Sequence, residues 1–142
     1  MQAQMLAPAA VLVAWTLIVM LWMMATRLPA LAKTGIDLKQ AKPGGRGQDL
    51  EGVLPDQVNW KAHNYTHLME QPTLFYAAVV IVAVLGASNI DVLAAWGYVG
   101  FRIVHSLWQG TVNRIPVRLS LFGLATLCLI TLTVRALLLT FA

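Results

Sequence analysis

Residues 5–25 read MLAPAAVLVAWTLIVMLWMMA, from Met5 to Ala25, without a single charged side chain. About 20 apolar residues in a row are enough for a helix to cross the roughly 30 Å hydrocarbon core of a bilayer. A signal peptide is the rival reading, because Leu28-Pro-Ala-Leu-Ala32 resembles a cleavage site. Against it, no Lys or Arg precedes the run, and the run is too long for a signal-peptide core. The stretch therefore predicts a first transmembrane helix. The rest of the chain agrees. Of 142 residues, 58% are hydrophobic and 11% charged, whereas a soluble domain carries about a quarter charged residues. Mean hydropathy is +0.69. A chain this short cannot hide so much apolar surface in one core. The same composition excludes a disordered chain, and the single Cys128 excludes a disulfide framework.

Working outward, residues 26–67 change character. They hold Arg27, Lys33, Lys39, Lys42, Arg46 and Lys61, together with four acids and the flexible Lys42-Pro-Gly-Gly-Arg-Gly47. This predicts a solvated loop of about 40 residues, helical at most at its ends. A second apolar run covers 68–87, with Pro72 in its first turns, where a missing N–H costs little. Ser88-Asn-Ile-Asp91 is long enough only for a tight turn. A third run follows over 90–111, Asn113-Arg-Ile-Pro116 breaks it, and 119–142 makes a fourth. The expectation is an all-α integral membrane protein, a single domain over 1–142 built as a bundle of four transmembrane helices.

The basic residues orient it. Six lie in the first loop, Arg114 and Arg118 flank the third, and neither terminus nor the second loop has any. The positive-inside rule then places loops one and three in the cytoplasm and both termini outside, which suits a multi-pass protein of a bacterial inner membrane. The pI of 9.6 is explained without nucleic acid, which is not expected as a partner.

Three ionisable residues are read as lying within the second and third spans: Glu70, Arg102 and His105. Each costs roughly 2.5–3.5 kcal/mol or more at the bilayer centre, so such groups face a bundle interior or a wet cavity. His63, His67 and Glu70 recur at i, i+4, i+7, bordered by Asn64 and Tyr65. Tyr98, Arg102, His105 and Gln109 recur at i, i+4, i+7, i+11. With Arg118 opening the fourth span on the same side, they predict a cation-rich pocket open to the cytoplasm. Such a pocket suits a small hydrophilic anion whose reaction partner comes from the membrane. Arginines fork onto carboxylates, Glu70 can take an ammonium group, and a guanidinium stabilises a thiolate.

The segment Asn64-Tyr-Thr-His-Leu-Met-Glu70-Gln-Pro72-Thr-Leu-Phe-Tyr76 resembles the second-helix signature of the MAPEG family, the membrane-associated proteins of eicosanoid and glutathione metabolism. Arg102-x-x-His105, continuing to Arg114-Ile-Pro116-Val-Arg118, resembles the third-helix region of the same family. The resemblance implies a homotrimer of four-helix protomers that binds glutathione as co-substrate between neighbouring subunits. By position, Glu70 would bind its amino group, and Arg102 and His105 would line its site. Arg118 would stabilise the thiolate, Arg114 would help at the mouth, and Arg27 would add a carboxylate contact. Two positions depart from the family pattern: His67 stands where relatives carry Asn, and Gln109 where they carry Tyr. Both normally contact glutathione. The implied activity is a glutathione-dependent transferase or peroxidase acting on a lipophilic electrophile delivered by membrane lipid.

Other readings stand beside it. A non-catalytic subunit or scaffold would keep the fold and lose the chemistry. His63, His67 and Glu70, with His105, have ligand spacing for a metal, although neighbouring arginines oppose a dication. Glu70 with Arg102 has the makings of a buried pair that sets helix register. His63 reads equally as a solvated loop residue, and Arg114 and Arg118 as plain topological anchors. Arg135 is expected to snorkel to the outer surface. Trp60, Trp96 and Trp108 suit an interfacial belt, and Cys128 suits inert packing.

Overall fold

In a computed structural model that describes residues 1–142, every regular element is a helix. The first, α1, runs Gln2–Thr34 through Pro8 and Pro29. It ends at Gly35, whose backbone is left-handed (φ 70°) and whose N–H returns to the Ala32 carbonyl, a cap that glycine adopts without steric cost. Two short 3₁₀ turns, Leu38–Gln40 and Gly47–Leu50, punctuate the connection that follows. α2 (Asp56–Leu68), largely polar, and α3 (Pro72–Leu85), apolar, follow one another with an interruption at residues 69–71. The interruption has a local cause. Met69 N–H bonds back to Thr66 and Glu70 N–H to His67, three residues away rather than four, and Pro72 has no N–H to continue the ladder. α4 (Asn89–Thr111) opens on a capping box in which Ser88 and Asp91 satisfy each other's backbone N–H. Asn113, at φ 54°, turns the chain into α5 (Ile115–Phe141).

The expected 26–67 loop is shorter than its polarity suggests. Helix continues nine residues beyond Ala25, and α2 claims the last twelve residues of the stretch, so the irregular part is 35–55. Both extensions pack on each other. Lys61 lies over the Trp22 ring, its Nζ 5.4 Å from the centroid, and Arg27 donates to the Gly47 carbonyl at 3.1 Å. Hydropathy registers the charges of these segments and misses that each is helical. The fourth run likewise begins at Ile115 rather than 119.

Leu12 and Val19 of α1, Phe75, Val79 and Val82 of α3, Ala95 and Val99 of α4, and Ala125, Leu129 and Leu132 of α5 make one core. Only 29 of 142 residues are buried, while Leu17, Ile18, Leu21, Leu127, Ile130 and Leu137 stand exposed. Such an apolar exterior is tolerable in lipid and aggregating in water. Three segments are long and apolar enough to cross a membrane: Gln2–Thr34, Asp56–Leu85 and Ile115–Phe141. α4, at 23 residues, is about 35 Å long and long enough to span. Its composition falls short of the other three because one stripe of it is polar.

Candidate functional site

That stripe organises the site. Tyr98, Arg102, His105 and Gln109 are all buried, Tyr98 and Arg102 completely. Arg102 Nη2 donates to His67 Nδ1 at 2.8 Å and to the His67 carbonyl at 3.2 Å. A guanidinium only donates, so His67 Nδ1 is an acceptor and the neutral ring carries its proton on Nε2, a tautomer assigned from the hydrogen-bond pattern. The other Arg102 nitrogens, Nε and Nη1, are buried without a partner. Its guanidinium carbon sits 5.9 Å from the Phe122 ring centre, within range of a cation–π contact. The His67 and His105 rings lie 4.9 Å apart, and Phe122 meets His67 edge-on at 5.4 Å.

These rings border a cavity of about 180 Å³ lined by His67, His105, Ile115, Arg118, Leu119 and Phe122. Arg118 is half-exposed at its rim. Its Nη1 donates to Asn113 Oδ1 at 2.6 Å, so the turn that ends α4 also aims the arginine. Deeper in, Tyr98 donates to Gln71 Oε1 at 3.1 Å, and Gln71 donates to Thr126 at 3.0 Å. Phe75 stacks on the Tyr98 ring at 4.3 Å. Nearer the α2 side, Ser106 donates to Asn64 Oδ1 at 2.7 Å. Asn64 Nδ2 and Gln109 Oε1 are buried and unsatisfied. Each such group costs roughly 1–3 kcal/mol unless something pairs with it.

Not every anticipated residue joins the cluster. Glu70 is exposed and makes no ion pair, so the expected Glu70–Arg102 pair is absent; the turn at 69–71 swings the residue off the α2 face. Arg114 is exposed, and only its carbonyl is engaged, by Trp108 Nε1 at 3.1 Å. His63 is exposed and pairs with Glu51. The continuous His63–His67–Glu70 face therefore does not form. No three His, Cys, Asp or Glu side chains converge on a metal-sized site. Arg27 is tied to the Gly47 carbonyl and does not line the cavity.

Arg135 also departs from expectation. Instead of snorkelling, it forks onto Asp91, Nε to Oδ1 at 2.8 Å and Nη2 to Oδ2 at 3.1 Å. Asp91 is fully buried and accepts from Ser88 N and Oγ as well, both at 2.8 Å. The sequence reading missed Asp91, although Ser88-x-x-Asp91 is a legible capping box. It also missed Gln71, Ser106, Asn113, Phe122 and Thr126, none of which stands out without knowing its neighbours.

Together these features define a multi-pass, all-helical membrane protein whose polar side chains gather toward the end where α4 gives way to α5. The chain belongs to the MAPEG family: the family model of that description matches residues 5–138. That family includes glutathione-dependent transferases and synthases. No curated protein and no solved structure gives a match.

Proposed function

We propose that this protein is a glutathione-dependent membrane transferase or peroxidase acting on a lipophilic electrophile. The observation that carries the proposal is the buried Arg102 with Nε and Nη1 unpartnered, behind a cavity that Arg118 borders. Cations left unsatisfied in a dry site call for an anion, and glutathione carries two carboxylates and an ionisable thiol. When bound, it supplies the thiolate nucleophile for the electrophile.

The fit is good in charge and short in space. Pockets that enclose small molecules run to roughly 300–1,000 Å³, whereas the cavity in one chain measures about 180 Å³. A second protomer is the natural source of the missing wall, which supports the homotrimer that the family resemblance implies. The exposed Glu70 would then meet the amino group at that seam. Arg102 orients His67 and offers two free N–H groups to a carboxylate. Arg118, held by Asn113, stabilises negative charge on sulfur. The lipophilic substrate approaches from the bilayer side. Positive-inside sorting of Arg27, Lys33, Lys39, Lys42, Arg46, Lys61, Arg114 and Arg118 supports a cytoplasmic mouth with both termini outside, in a bacterial inner membrane.

The test is glutathione titration of detergent-purified protein, watching thiolate absorbance. Binding with a rising thiolate signal is expected, with a loss of roughly 100-fold or more in transfer rate for Arg118→Ala. No binding at millimolar glutathione would replace this reading with a non-catalytic subunit. An unchanged thiolate signal in Arg118→Ala would remove the arginine from the mechanism.

A further inference from the structure

We infer that Asn113 is a positioning residue for Arg118, and that a neutral amide stands there so that the guanidinium is aimed without losing its charge; the inference rests on the glutathione reading above. The corner between α4 and α5 needs an unusual backbone. Asn113 is the one non-glycine residue with a positive φ, 54°. Its N–H returns to the Trp108 carbonyl at 2.8 Å, and Trp108 Nε1 donates to the Arg114 carbonyl at 3.1 Å. The last turn of α4 therefore grips the corner on both sides of Asn113. Glycine, asparagine and aspartate are the residues that tolerate this left-handed conformation best.

The side chain decides among those three. Arg118 Nη1 donates to Asn113 Oδ1 at 2.6 Å, its one hydrogen bond to another side chain. A guanidinium has five N–H donors, so the rest remain for an anion in the cavity that Arg118 borders. No carboxylate lies within ion-pairing distance of Arg118; the two ion pairs are His63–Glu51 and Arg135–Asp91. Glycine at 113 would offer nothing to hold the arginine. Aspartate would hold it and cancel its charge, as Asp91 does to Arg135. Asparagine supplies both the backbone and an uncharged acceptor. The other charged and titratable groups around the cavity are His67 of α2 and Arg102 and His105 of α4. The exposed Glu70 is the one carboxylate that acts on this group, through His67 and Arg102. A bound thiolate thus meets Arg118 with its full charge, and a cation that close lowers the pH at which the thiol ionises.

The deciding measurement is a pH titration of detergent-solubilised protein saturated with glutathione, reading thiolate absorbance above that of free glutathione. In Asn113→Asp the thiolate midpoint is expected to rise by about one pH unit, toward that of Arg118→Ala. At a fixed pH below the midpoint, that leaves up to about tenfold less thiolate. Asn113→Gly frees the arginine without a new charge, and its midpoint should rise by less. A merely structural role at the corner would leave the Asn113→Asp midpoint unmoved, because aspartate suits the same backbone and accepts the same hydrogen bond. An unmoved midpoint in Asn113→Asp, alongside a raised one in Arg118→Ala, overturns the inference. If Asn113→Asp does not fold, Asn113→Gly decides alone, and an unmoved midpoint there overturns it. Failure of the unaltered protein to bind glutathione, or an unmoved midpoint in Arg118→Ala, overturns the reading beneath it instead.

Discussion

α4 buries one charge at its start and another in its second half, and it treats them in opposite ways. Near the start, Asp91 is surrounded by donors: Ser88 N and Oγ, and the forked guanidinium of Arg135. Deeper along the helix, Arg102 is just as buried, yet two of its nitrogens have no partner. A charge whose bonds are all met within the fold stabilises the native packing of α4 on α5. A charge left open stores the capacity to bind an anion that the chain itself does not contain. The first is a staple, and in the function proposed above the second is a site.

Breaking the staple should have the largest effect on stability. Arg135→Met strands the Asp91 carboxylate in the bundle, and the melting midpoint in detergent should fall on the order of 10 °C. Replacing both partners with leucine should recover most of that loss, because no charge is left unpaired. If Arg135→Met melts with the unaltered protein, the ion pair is incidental and the comparison fails. The same experiment on the second charge should go the other way. Arg102→Met removes a buried, under-satisfied cation, so the ligand-free midpoint should hold or rise by a few degrees, while glutathione affinity falls tenfold or more. A large drop in midpoint would make Arg102 a second staple.

Smaller effects sharpen the picture. Gly110 sits where a Cβ would come within 2.7 Å of the Trp22 ring and 3.3 Å of Asn64 Nδ2. Gly110→Ala should therefore cost about 1–3 kcal/mol by wedging α1 from α4. Denaturant unfolding would measure it, and a neutral substitution would mean that the contact yields freely. The exposed His63–Glu51 pair should matter least. Glu51→Gln is expected to change stability by less than about 1 kcal/mol, and to do so less at high salt.

How much of this was legible beforehand differs by residue. The α4 stripe was readable because helical spacing puts Tyr98, Arg102, His105 and Gln109 on one face whatever they pack against. The α2 face was not, because the turn at 69–71 breaks the register that would carry His63 and His67 on to Glu70. Asp91 escaped notice although its cap is encoded three residues away at Ser88. Its partner Arg135 is 44 residues distant, and no local pattern links them. Gln71 and Thr126, 55 residues apart, are likewise joined only by the packing of α3 and α5.

The sequence by itself determined that this is a membrane protein of apolar helices with polar residues set into their faces. That much follows from hydropathy and periodicity, which are properties of neighbours along the chain. Family membership also follows from the order of its motifs. Tertiary structure alone decided which charges are matched. Pairing depends on where separate helices meet, and with the helix interrupted at residues 69–71 Glu70 is exposed and unpaired with Arg102. The same packing brought Asp91 to Arg135 and left two buried nitrogens of Arg102 without a partner.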